Sequence, residues 1–268
     1  MKRREFLAGL AGSLALPAFA QEETLDPLAA KVAKGAPVRK GKVTVTLPQL
    51  ADNGNSVPIR ITVESPMTEA DHVQSIHLFS ERNPVPNMAN FYLGPRAGKA
   101  EINSRVRLAG SQKVTAVAEL SDGRLVADSR YVKASGGCSA PAGKDPAAAA
   151  ARLGRMRLAV DDEVRWNRPA LAQLMISHPN DSGLAMDQLT RTYAPPHFVR
   201  SVEVRYGGKL VMSAAVDFSI SENPNFRFYF TPGDGDELDA RVVDNQDLEF
   251  NAKLRLDTAR LSGASTVR

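Results

Sequence analysis

One sulfhydryl and four imidazoles are the side chains of this 268-residue chain best suited to chemistry. Cys138 is the only cysteine. It stands in the run Ala134-Ser135-Gly136-Gly137-Cys138-Ser139-Ala140-Pro141-Ala142-Gly143-Lys144-Asp145-Pro146. A free cysteine is by default a small buried hydrophobe, but buried cysteines sit inside apolar periodic segments, and no large apolar residue occurs between Ala134 and Ala142. The segment therefore reads as an exposed linker. A lone thiol closes no internal disulfide, and Ser139 beside it offers no triad. Nucleophilic catalysis on its own would need a positioned base and an orienting group, which a Gly, Ser and Pro segment supplies poorly. An ordinary thiol pKa of ~8.5 leaves a minority of thiolate near neutrality, so activation falls to a partner. The chemistry that fits is a sulfur atom carried on a small-residue arm, with Gly136 and Gly137 as its hinge, into another protein's active site.

The remaining candidates are weaker. His178-Pro179 and His197 could form a metal or acid-base pair, but the irregular segment between them gives no ligand spacing, and they read as structural or surface residues. His72 and His77 carry less still. Asp234, Asp236, Glu237 and Asp239 around Gly235 lack the ordered spacing of a calcium loop and read as a solvated turn. One Cys and four His, none paired at ligand spacing, argue against a structural zinc site. No catalytic residue, metal ligand or cofactor site is assigned. Trp166 and the Phe226 to Phe230 stripe read as packing.

These residues must be positioned by a chain that is 43% hydrophobic and 24% charged, an ordinary globular composition. The 34 Lys and Arg against 30 Asp and Glu leave +4, part of it in the basic start, so nothing argues for nucleic acid. Residues 1–20 combine that start, an apolar run from Phe6 to Leu16 and Ala18-Phe19-Ala20 before Gln21, the parts of a signal peptide. The run is too short to span a bilayer. Arg3-Arg4-Glu5-Phe6-Leu7 is similar to the twin-arginine export motif. The expected compartment is the periplasm, which is oxidising.

Leu25, Leu28, Ala29 and Val32 predict a short helix within residues 21–35. Strands follow by alternation: 42–47, 56–63, 72–80, 91–93, 101–108, 113–120 and 125–133, with turns at Asn53-Gly54 and Asp122-Gly123. A second set spans 156–160, 171–178, 201–206, 209–216, 225–231, 237–244 and 248–256. About seven strands in each half predict an all-β protein of two immunoglobulin-like β-sandwich domains, 36–134 and 155–268, joined by a flexible linker. That linker, 135–154, holds the Gly-Gly-Cys arm and an Ala run expected to make a helical turn after Asp145-Pro146.

On these residues the chain resembles the SoxY and SoxZ subunits of the periplasmic sulfur-oxidation system, joined end to end over about 36–138 and 155–260. The SoxY-like match is carried by Leu47-Pro48, Ala51 to Pro58, Ser65-Pro66-Met67, Asn83 to Pro86, Arg105 to Ala109, Ser121-Asp122-Gly123 and Gly136-Gly137-Cys138. The SoxZ-like match is carried by His178-Pro179, Pro196 to Val199, Ser221 to Pro224, Phe226 to Phe230 and Asp244-Asn245. The resemblance implies a carrier rather than an enzyme, with thiosulfate or related sulfur species attached covalently to Cys138. The implied partners are periplasmic oxidising and hydrolysing enzymes, and fused carriers of this kind resemble those associated with quinoprotein dehydrogenase systems. Where the family ends in Gly-Gly-Cys-Gly-Gly, this chain has Ser139 and Ala140 and continues, so the arm is tethered at both ends. An unpaired exported thiol can also cross-link two copies. The rival readings are a sulfurtransferase or thiol redox enzyme acting alone, and a β-sandwich accessory module with an incidental cysteine.

Overall fold

The structure is a computed structural model that describes residues 27–137, 146–161, 164–186 and 191–257. The signal-like start and Cys138 itself lie outside the described residues. The first half contains α1 (Pro27–Ala33), β1 (Val38–Lys40), β2 (Val43–Thr46), β3 (Leu50–Ala51), β4 (Val57–Val63), β5 (Val73–Ser80), β6 (Asn87–Leu93), β7 (Ala100–Val106), β8 (Gln112–Leu120) and β9 (Leu125–Ala134). The second contains α2 (Pro146–Ala150), β10 (Met156–Val160), β11 (Ala170–Ile176), β12 (Val199–Tyr206), β13 (Lys209–Val216), β14 (Asn225–Phe230), β15 (Glu237–Asp244) and β16 (Glu249–Arg255). No described helix is long and apolar enough to cross a membrane.

Alternation does most of the work. In β4, Val57, Ile59, Ile61 and Val63 are buried while Pro58 and Arg60 are exposed. In β14, Phe226, Phe228 and Phe230 point inward and Arg227 outward. One face of each strand thus enters the space between two sheets. β5 and β8 depart from alternation because Leu28 and Ala29 of α1 cover Phe79 and Val117 on the sheet's other side.

Each half is the expected sandwich, and the two halves also share both sheets. The larger sheet runs β1-β9-β8-β5-β6-β13-β12-β15-β16, with β3 also paired to β9, and the smaller runs β10-β11-β14-β7-β4-β2. The seams are antiparallel: β6 on β13, with Phe91 opposite Ala214, and β7 on β14, with Ile102 opposite Phe228. Phe91 and Phe226 meet edge to face across the seam, ring centroids 6.3 Å apart. Pairing removes edge strands that would otherwise expose free backbone groups, and it lets one hydrophobic core run through both halves. Linker composition carries no information about such pairing.

Candidate arm root and the polar network behind it

β9 delivers the chain to the arm. Its end pairs in parallel with β3, Leu50 with Lys133 and Ala51 with Ala134. Ser135 N–H then donates to Ala51 O at 3.4 Å, and Gly137 N–H donates to Leu108 O at 2.9 Å. Leu108 N–H in turn donates to Gly54 O at 2.8 Å, so three separate segments are laced together one residue before Cys138. Gly54 is presented by a turn in which Asn53 Oδ1 accepts from Asn55 N–H at 2.9 Å.

Here the structure revises the hinge assignment of Gly137. Gly137 is buried and hydrogen-bonded. A Cβ on it would sit 2.2 Å from Gly54 C and 2.3 Å from Asn55 N, and a Cβ on Gly54 would sit 1.8 Å from Ser135 O. Neither adopts a left-handed φ. These glycines are therefore needed for close backbone approach, not for rotational freedom. Gly136 is exposed, and its hypothetical Cβ meets only Ala109, at 2.9 Å from the carbonyl oxygen. Gly137 is an anchor.

Behind the anchor lies Arg107, only 7% exposed. Its guanidinium reaches from the first half into two loops of the second, donating to Asn180 O, to Phe218 O at 2.9 Å, to Ile220 O at 3.3 Å and to Pro179 O at 3.4 Å. Its own carbonyl accepts from Asn83 Nδ2 at 2.8 Å, and Asn83 Oδ1 accepts from Ala109 N–H at 3.0 Å. Carbonyl dipoles solvate the buried cation, and the fixed fork of the guanidinium sets the loops' spacing.

Asn180 links this clasp to a second cluster. Its N–H donates to His178 Nδ1 at 3.0 Å, its Nδ2 donates to Ile220 O at 2.7 Å and Asp217 O at 3.4 Å, and its Oδ1 accepts from Val199 N–H at 2.8 Å. The two histidines that the sequence left apart converge on Asp244, with His197 Nε2 2.8 Å and His178 Nε2 3.5 Å from Asp244 Oδ2. Their rings stack edge to face at 4.5 Å. The ligand-type atoms lie within 4.8 Å of one another, close enough to suggest a metal site. The tautomer opposes it: because His178 Nδ1 accepts a backbone N–H, a neutral ring carries its proton on Nε2 and donates toward Asp244, leaving no lone pair there for a metal. Asp244 Oδ1 is occupied as well, accepting from Gln246 and Leu248 N–H at 2.8 and 2.9 Å. The cluster is a hydrogen-bonded brace between the loops and the β15–β16 turn. Of the acidic group around Gly235, Asp234 and Asp236 are exposed, while Glu237 and Asp239 open β15; Glu237 pairs with Lys253 at 2.7 Å and Asp236 with Arg255 at 3.4 Å.

Two buried groups here titrate in opposite senses. Burial, reinforced by the His197 ring, lowers His178 from 6.5 to about 4. Burial raises Asp217 from 3.8 to about 6, although Ser219 N–H donates to its Oδ1 at 2.7 Å; its Oδ2 has no partner. As pH falls from about 6.5 to about 4 the unfolded chain protonates His178 and the folded chain does not, which costs stability. Over about 6 to 3.8 the folded chain takes up a proton on Asp217 first, which adds stability. At ~1.4 kcal/mol per unit, each contribution is about 3 kcal/mol and they offset. The expected outcome is a nearly flat stability profile from these two groups in the parent. Asp217→Asn exposes a loss of stability on acidification, and His178→Asn exposes a gain. Urea melts of the three proteins from pH 4 to 7 check this; identical profiles would refute the offset.

Sequence reasoning missed Gly54, Arg107, Asp217 and the bracing role of Asp244. Gly54 read as a plain hairpin turn, and Arg107 as one charge in an alternating strand.

The anchored 135–137 segment, the paired sandwiches and the polar clasp together define a two-domain β-sandwich protein. Residues 28–138 match the family described as Sulfur oxidation protein SoxY, and residues 158–255 match Sulphur oxidation protein SoxZ. The chain belongs to the SoxY and SoxZ families, with both domains fused in one polypeptide. Among solved structures, the sulfur carrier protein SoxY from Chlorobium limicola f thiosulfatophilum is 26% identical, covering 40% of this chain and 93% of that one, at a TM-score of 0.34. A superoxide reductase (neelaredoxin) from Ignicoccus hospitalis is 15% identical over 35% of this chain and 80% of its own, at a TM-score of 0.32. A putative superoxide reductase from Thermotoga maritima is 17% identical over 36% and 93%, also at 0.32. At such scores these likenesses carry nothing about chemistry. No curated protein matches the chain significantly in sequence.

Proposed function

We propose that this protein is a periplasmic carrier that holds sulfur-containing intermediates covalently on Cys138 and presents them to separate oxidising and hydrolysing enzymes. The observation that carries the reading is the seating of Gly137 between Gly54 and Leu108, which fixes the backbone one residue before the cysteine at which the SoxY match ends. A thiol in a Gly, Ser and Pro segment that continues into a second domain suits carriage to foreign catalysts better than turnover, which would need a base held against it. Loading by oxidative coupling forms an S–S bond between the Cys138 thiolate and a reduced sulfur anion and passes an electron pair to the partner's redox group. Hydrolysis of the outer sulfur group by a second partner leaves the inner sulfur attached. Export by the twin-arginine route accords with residues 1–20.

Intact-mass and Cys138-peptide mass spectrometry of protein from periplasm, with and without a reduced sulfur source, tests this. A reducible, substrate-dependent adduct is expected, and Cys138→Ser should fold normally and lose both adduct and pathway activity. Adducts indifferent to growth substrate would remove the sulfur assignment. Turnover by the isolated protein, abolished by the same substitution, would establish a thiol enzyme instead.

A further inference from the structure

Resting on the carrier reading, we infer that the outer face of the six-stranded sheet is the docking surface for an acidic partner protein. The outward positions of β4, β7, β14 and β10 carry Arg60, Arg105, Arg227 and Arg157, all exposed. Strand register aligns Arg60, Asn103, Arg227 and Gln173 in one row across four strands, with Arg105 opposite Pro58 in the next. Between them runs a trough of about 580 Å³ lined by three of these arginines and by no carboxylate. It meets, at Asn225, a second trough of about 390 Å³ that holds Arg155 and Arg157 and again no carboxylate. Glu101, the acid on the outward side of β7, is already engaged by Lys99 at 2.7 Å and Arg60 at 3.8 Å.

The chemistry selects the occupant. Six strands at about 4.8 Å spacing make a face ~24 Å across, too long for one small oxyanion and suited to a macromolecular surface. Guanidinium forks pair with carboxylates in a planar, two-point manner that ammonium groups do not reproduce. Singly such exposed pairs contribute little, but a one-sign field over a concave face steers association and fixes orientation.

The position selects the purpose. Arg105 donates to Ser56 O at 3.4 Å and Ser56 Oγ at 3.3 Å, and Ser56 adjoins the Gly54-Asn55 seat of Gly137. A partner held on this face keeps its active centre beside the arm, which raises the effective concentration of the thiol. Arg60 and Arg105 come from the first half and Arg227 from the second, so the seam between β7 and β14 builds the surface.

The test is fluorescence anisotropy with a fluorescein-tagged peptide of alternating Glu and Ser, titrated with full-length Cys138→Ser protein. Salt-sensitive binding is expected, weakened at least about tenfold by Arg60→Gln/Arg105→Gln/Arg227→Gln. The control Lys31→Gln/Arg39→Gln/Lys209→Gln, which removes equal charge elsewhere, should change it less than about twofold. Equal losses in the two triple variants would reduce the effect to net charge and overturn the docking face. Complete displacement by equimolar sulfate or thiosulfate would overturn it in favour of a small-oxyanion site. If the groove variant fails to fold, Arg227→Glu alone gives the same contrast, because among the described residues no hydrogen bond or ion pair holds that guanidinium. Binding is read without Cys138, so a failure to dock leaves carriage standing, and a failure to find cargo leaves docking standing.

Discussion

Gly54→Ala should destabilise the protein by about 3 kcal/mol and dislodge the arm root, although it adds one methyl group. The new carbon would lie 1.8 Å from Ser135 O and 2.9 Å from Leu108 O, both backbone atoms, so no side-chain rotation relieves the clash. Either the 53–56 turn or the 135–137 segment must withdraw, and with it goes the Gly137 to Leu108 hydrogen bond. Gly137→Ala should behave alike, because its Cβ would strike Gly54 and Asn55. Gly136→Ala, exposed and with a single backbone clash, 2.9 Å from Ala109 O, should cost less than either. Thermal unfolding reads the ranking, with a fall of roughly 6–12 °C for the two severe variants. Faster exchange of the Gly137 amide would accompany Gly54→Ala. Equal, mild effects at Gly136 and Gly137 would restore the reading of both as a free hinge.

Arg107→Ala is the second large effect, expected at about 3–5 kcal/mol. It removes the donor shared by carbonyls of Asn180, Phe218, Ile220 and Pro179 and leaves those acceptors facing a cavity. Arg107→Met keeps most of the volume but supplies no donor, so it should recover only the packing part. Arg107→Lys restores charge without the fork and should recover about half. Because residues 178–180 and 217–220 move together on this side chain, hydrogen-exchange protection should fall at Ile220 and Asn180 before it falls in β14. Urea midpoints for the three variants in that order check the assignment, and an Arg107→Met protein as stable as the parent would refute it.

Much of the fold was legible because burial on one face writes a two-residue period into a strand. β10, β13 and β15 begin and end at the predicted bounds, and β15 alternates from end to end. β6 was legible only from Phe91 because Met88 and Ala89 are both buried, which erases the period in its first half. β1 and β3 are three and two residues long and exist only by parallel pairing with distant β9, which leaves no local trace. The chemistry divides the same way. Cys138 was conspicuous through its neighbours, whereas the contacts that position the chain before it join distant segments, Gly137 to Leu108 across 29 residues and to Gly54 across 83. Asp244 meets His197 and His178 across separations of 47 and 66 residues, and no spacing rule joins an aspartate at a hairpin to imidazoles in a remote loop. Arg107, between buried Val106 and Leu108, occupies a place where alternation predicts exposure; the fold turns it inward because carbonyls wait there.

The seating of Gly137 also limits reach. With that α-carbon fixed, the next lies ~3.8 Å away, and a cysteine side chain extends only a few ångströms further. On the carrier function proposed above, cargo held one residue beyond that point would stay near the rim of the sandwich instead of travelling down a deep well. Under that proposal, a partner enzyme would have to place its reactive atoms near its own surface or peel residues 135–137 off the turn at 53–56, and the energy of that peeling would become part of the selectivity between partners.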